Sequence, residues 1–133
     1  MKLVRKEKLR KLFSRYTEID LVYLYGSHAK GAARLDSDLD LAVSARTGDY
    51  AGLKLDLLER LSLSGFEQLD IAFFQQATPL LRFQMVRHNQ LLYCRSNDSS
   101  GVLFSRCLND YFDLEPTLRV QRAAYKERVL HGF

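Results

Sequence analysis

The residues best suited to chemistry lie between positions 24 and 43, in the segment LYGSHAKGAARLDSDLDLAV. Gly26 and Ser27 end a run of aliphatic and aromatic residues, and ten residues separate Ser27 from Asp38-Leu39-Asp40. Each part has a physical task. Gly26 permits a tight exit from a strand and the close approach of a ligand. A helix starting at Ser27 would aim free backbone N–H groups at an anion, so this turn reads as a phosphate seat. The Ser27 hydroxyl can donate to a phosphate oxygen, and Gly31 keeps the floor of the loop low enough for a triphosphate. Lys30 and Arg34 are candidates for further phosphate contacts, with solvated surface positions as the alternative.

Asp38 and Asp40 stand two residues apart on a predicted strand, so their carboxylates project from one face while Leu39, Leu41 and Val43 point the other way. Carboxylates held side by side repel unless a cation sits between them, and Mg²⁺ prefers such oxygens together with substrate phosphates. A divalent cation is therefore expected. A later apolar run, QLDIAFF, carries one acid, Asp70. If that strand neighbours the Asp38–Asp40 strand, Asp70 completes a set of three.

Plainer readings exist for each feature. Gly-Ser can be only a turn, an aspartate pair only a strand end bonding backbone, and Asp70 only a partner for a loop N–H or an Arg. Their conjunction is much less ordinary than any one of them. His28 next to Ser27 does not make a Ser-His nucleophile, because adjacent residues on a helix or turn point apart and no orienting acid is apparent. His88 and His131 show no metal-ligand spacing and read as structural or exposed.

The elements that must position these groups follow from periodicity. Leu9, Leu12, Phe13 and Tyr16 recur at helical spacing and predict an amphipathic helix over 3–16. Ile19–Tyr25 reads as a buried strand, a short helix is expected around 28–33 after Ser27, and 39–44 is the second strand. Leu53, Leu57, Leu58 and Leu61 give the stripe of a helix over 50–63 that ends near Gly65. Gln68–Phe74 is a third strand, and Thr78-Pro79 offers an N-cap with Pro at N1 for a helix reaching His88. Leu91–Arg95 adds a fourth strand. The polar stretch 96–101 reads as a hinge, followed by helices over 102–113 and 117–130 separated near Pro116. This order predicts an α/β or α+β domain whose helices cover a small sheet, and leaves open whether the sheet is parallel or mixed. Residues 1–95 form the expected core and 96–133 a helical tail of the same domain.

Composition bounds the rest. With 133 residues, 47% hydrophobic and 27% charged, the chain is sized for one folded domain. No apolar run approaches the roughly 20 residues that span a bilayer, and the first segment lacks a signal-peptide core, so a cytoplasmic protein is expected. Cys94 and Cys107 match no metal spacing and are expected as reduced thiols. The net charge of +4 is uneven: residues 1–15 hold seven Lys/Arg against one Glu, a charge of +6 that leaves −2 for the remainder. That basic end can face nucleic acid or an acidic protein, or be solvated.

The Gly26-Ser27, Asp38, Asp40 pattern, set between two strands and followed by a strand acid at Asp70, resembles the minimal nucleotidyltransferases of the DNA polymerase β superfamily. The likeness covers about residues 10–95. Lys30 stands where many relatives have Arg. Small stand-alone members resemble the MNT antitoxins paired with HEPN toxins. The resemblance implies a nucleotidyltransferase fold with a small mixed sheet, and Mg²⁺-dependent transfer of AMP from ATP to a tyrosine of the toxin, in a hetero-oligomeric complex. It implies two Mg²⁺ ions held by Asp38, Asp40 and Asp70, and phosphates gripped by Gly26 and Ser27 with help from Lys30 and Arg34. In that role Asp70 would also help deprotonate the acceptor. Nucleic acid is not an expected partner. An aminoglycoside-type enzyme shares the motif but usually adds a sizeable domain that 96–133 scarcely supplies; a module that masks its partner by binding alone is the non-enzymatic alternative. Arg82 and His88 superficially resemble the spaced Arg and His of HEPN ribonucleases, but they fall in a predicted helix of the core. Tyr111, Phe112, Leu114, Leu118 and Tyr125, rimmed by Arg119, Arg122 and Arg128, are candidate docking residues in the tail.

Overall fold

The computed structural model describes residues 3–26 and 39–131. Helix α1 (Leu3–Ser14) leads into strand β1 (Ile19–Tyr25); β2 (Leu39–Ala45), α2 (Tyr50–Leu63) and β3 (Leu69–Phe73) follow. A 3-10 turn (Phe74–Gln76), α3 (Pro79–Val86), β4 (Gln90–Cys94) and α4 (Asn97–His131) complete the order. The helix expected around 28–33 lies outside the described residues.

The four strands form one mixed sheet in the order β3-β2-β1-β4. β1 pairs antiparallel with β2 and β4, whereas β2 and β3 run parallel, joined through α2. Strand alternation then sorts side chains between two cores. On one face Val22, Leu24, Leu41, Val43 and Ile71 pack with Leu9 and Phe13 of α1 and Leu53, Leu57 and Leu61 of α2. On the other, Leu21, Tyr23 and Ala42 meet Phe74, Met85 and Val86, with Cys107 of α4 closing the cluster.

Local chemistry sets the element ends. The Asp49 carboxylate accepts the Gly52 N–H at 2.9 Å and starts α2. Thr78 caps α3 by accepting the Leu81 N–H at 3.2 Å, with Pro79 at N1 where its missing N–H costs nothing. The Tyr50 hydroxyl donates to the Ala45 carbonyl at 3.0 Å, tying the start of α2 to the end of β2.

The tail differs from the sequence expectation. Instead of a hinge at 96–101 and two helices broken near Pro116, a single helix runs from Asn97 to His131 with Pro116 inside it. The Asn, Asp and Ser that suggested a hinge are also the residue types favoured at helix starts. Pro116 removes the donor for the Phe112 carbonyl. Both residues lie exposed, so water can satisfy that carbonyl. The Arg119–Glu115 ion pair, 2.6 Å at its shortest, spans the proline and supports the helix across it. No described helix is long and apolar enough to cross a membrane.

Candidate active site

The sheet registers bring three polar side chains into one row. Tyr25, the last residue of β1, is the partner of Asp40 on β2, and Asp40 is the partner of Asp70 on β3. Neighbouring strands lie about 4.8 Å apart, so the two carboxylates stand side by side. They share the parity of Tyr23 and Ala42 and therefore project from the α3/α4 face. Asp70 is exposed and Asp40 half-buried, which leaves the pair open to a ligand.

Gly26 turns the chain at the end of β1 with φ +69, a conformation that costs a side-chain-bearing residue about 1–2 kcal/mol. Space forbids a side chain as well. A Cβ added at Gly26 would collide with the Asp40 carboxylate, its Cγ lying only 3.2 Å away. The glycine thus lets the turn close onto the carboxylate, joining the two halves of the sequence motif. Of the sequence-predicted residues, Gly26, Asp40 and Asp70 are brought together; Ser27, Lys30, Arg34 and Asp38 lie outside the described residues.

Sequence reasoning missed Tyr25. Its phenol is pushed up to about 12, first by burial and then by the negative charges of Asp70 and Asp40. At neutral pH it is an uncharged hydroxyl beside two acids. Strand alternation from Leu21 and Tyr23 was the signal that places it on the site face.

The donor set fits a hard divalent cation. Two carboxylates aligned across β2 and β3 supply the oxygens Mg²⁺ prefers.

The sequence profile of the family described as Polymerase beta, Nucleotidyltransferase matches residues 7–98, and the chain belongs to that family. It is a nucleotidyltransferase with the α+β fold of that group. A sequence search among characterised proteins finds no significant match. Solved structures show the same fold. A toxin–antitoxin structure with AMP-PNP has a TM-score of 0.74 at 22% identity, covering 94% of this chain and 98% of that one. The tri-AMPylated Shewanella oneidensis HEPN toxin in complex with MNT antitoxin gives 0.70 at 21% identity, covering 98% and 99%. The toxin–antitoxin MntA-HepT gives 0.69 at 20% identity, covering 97% and 99%.

Proposed function

We propose that this chain is an antitoxin that transfers AMP from ATP to a tyrosine hydroxyl of a HEPN-type toxin. The observation that carries the reading is the alignment of Asp40 and Asp70 across β2 and β3, closed by Gly26. Family membership supports nucleotidyl transfer, and the fold shared with toxin–antitoxin structures over nearly the whole chain supports the partner.

Bound Mg²⁺, most simply as two ions, would supply Lewis-acid polarisation of the α-phosphate and offset the charge of the transferring group. Asp38, Asp40 and Asp70 are the residues to hold it. Gly26 and Ser27 grip the β- and γ-phosphates with backbone N–H groups and the Ser27 hydroxyl, and Lys30 and Arg34 add positive charge. Asp70, at the open edge of the row, receives the acceptor hydroxyl and helps take its proton. The acceptor oxygen bonds to the α-phosphorus as the bond to the bridging oxygen of the β-phosphate breaks, leaving AMP on the acceptor and releasing pyrophosphate. Tyr25, kept neutral, flanks the pair without adding a third negative charge.

Residues 1–95 serve as the catalytic core and 96–133 as a docking tail in a hetero-oligomeric complex. Phe112 and Val120 are 57% and 70% exposed on α4 and offer apolar contacts, and Arg119 and Arg122 are exposed on the same helix. Tyr111 instead stacks on Phe83 at 3.9 Å between ring centroids and packs back on the domain. Leu118, Tyr125 and Arg128 have side chains outside the described set.

The test combines the chain, ATP, Mg²⁺ and the protein encoded by its neighbouring gene, with an aminoglycoside panel in parallel. A mass gain of ~329 Da on a partner tyrosine is expected, since adenylylation is a covalent modification that caps the hydroxyl and adds charge. Modification of an aminoglycoside alone would reject the antitoxin role, and a stable complex with no mass gain would favour neutralisation by binding.

A further inference from the structure

His88 is buried at its Nε2, and that atom has no hydrogen-bond partner. A buried polar atom left in this condition costs stability unless something bound later completes it, so it asks for an explanation. Its place in the fold supplies one. After α3 ends at Val86, the chain turns through Arg87 and His88, and the Asn89 N–H donates to the Val86 carbonyl at 2.8 Å. Asn89 holds φ +50, a conformation rare outside glycine but tolerated by Asn. The chain then enters β4 at Gln90, the register partner of Leu24. His88 is therefore fixed at the Tyr25–Gly26 end of the sheet, across β1 from the two carboxylates.

In-line transfer gives the two flanks of β1 different duties. The acceptor approaches the α-phosphorus from one side and the bond to the β-phosphate breaks on the opposite side. With Asp70 receiving the acceptor on the β3 flank, the pyrophosphate departs over Gly26 toward the β4 flank. We infer that His88 is a phosphate-binding residue, whose Nε2–H donates to a β- or γ-phosphate oxygen of the bound triphosphate and of the departing pyrophosphate. The bond is one of hydrogen bonding only, and the proton remains on the imidazole. Nε2 is covered in this structure, so the side chains over it would have to move for a phosphate to reach it. This inference rests on the nucleotidyl-transfer reading above.

Binding of pyrophosphate and of AMP, each with Mg²⁺, is measured by calorimetry for the wild type, His88→Phe and His88→Gln. Phe fills the space without a donor, and Gln restores an N–H at similar reach. His88→Phe is expected to weaken pyrophosphate about tenfold or more, the effect of losing one hydrogen bond to a charged group, and AMP less than about twofold. His88→Gln should recover most of the loss. Thermal melting of His88→Phe should match or exceed the wild type, because an orphaned polar atom is gone. Equal weakening of both ligands, or none, overturns the role of His88. A wild type that binds neither ligand overturns nucleotidyl transfer itself and this inference with it.

Discussion

The two faces of the sheet are built from alternate residues of the same strands, yet they do different work. Against α1 and α2, Leu41, Val43 and Ile71 are essentially inaccessible and join a closed apolar core. Against α3 and α4 the cluster is smaller, and at one end it gives way to Tyr25, Asp40 and Asp70. Asp40 and Leu41 are neighbours in sequence, yet a strand places them on opposite faces. The sealed face stabilises the strands so that the other face can hold like charges together.

The largest expected effect is on the open face. Asp40→Asn or Asp70→Asn should lower transfer by on the order of a thousandfold, the several kcal/mol that a charged ligand to the proposed catalytic cation would carry. Melting should change little, and pyrophosphate release from ATP measures the loss. In Asp70→Asn, turnover should fall more than ATP affinity if, as proposed, the β3 acid serves the acceptor. The sealed face should invert this pattern. Leu41→Ala opens a cavity in a fully buried site and should cost about 2–5 kcal/mol in urea unfolding, with transfer per folded molecule within a few-fold of wild type.

Gly26→Ala crosses the comparison, since it strains the backbone and drives the Asp40 carboxylate aside. It should cost about 1–2 kcal/mol in stability. Transfer should fall in the same variant even where it remains folded. A smaller effect tests the electrostatics. Tyr25 is raised in the folded chain, to about 12, above the unfolded value near 10. Its contribution to stability is therefore complete below about pH 10 and is lost as pH rises toward 12; Tyr16 and Tyr23, raised mainly by burial, act in the same direction. Ultraviolet titration should show the Tyr25 transition at lower pH in Asp70→Asn, but still above 10, because burial is the larger cause. The smallest effect on transfer belongs to Pro116→Ala, which restores a helix donor at an exposed position of α4. It should stabilise α4 by up to about 3 kcal/mol, seen by circular dichroism, and leave transfer unchanged.

The core strands were legible because burial on both faces makes IDLVYLY and LDLAVS mostly apolar runs, and α2 because its leucine stripe is local. The partnership of Asp40 with Asp70 was legible only conditionally. The strand order depends on α2 carrying the chain across to a parallel neighbour, which no local pattern states. Tyr25 passed unnoticed because an aromatic in an apolar strand looks like core until its register partner is known to be a carboxylate. The tail was misread at Pro116, where helix propensity was overridden by an exposed carbonyl and a bridging ion pair. His88 was read from the sequence only as structural or exposed, because its placement at the end of the sheet comes from the β1–β4 register.

The central claim is that Asp40 and Asp70 form the chemical centre while the residues alternating with them only hold it up. Its most direct test is pyrophosphate release from ATP and Mg²⁺ with the acceptor protein present, compared among the wild type, Asp40→Asn, Asp70→Asn and Leu41→Ala at a temperature where circular dichroism shows all four folded. The account predicts near-complete loss in the two carboxamide variants and substantial retention in Leu41→Ala. Wild-type rates in either carboxamide variant would contradict it.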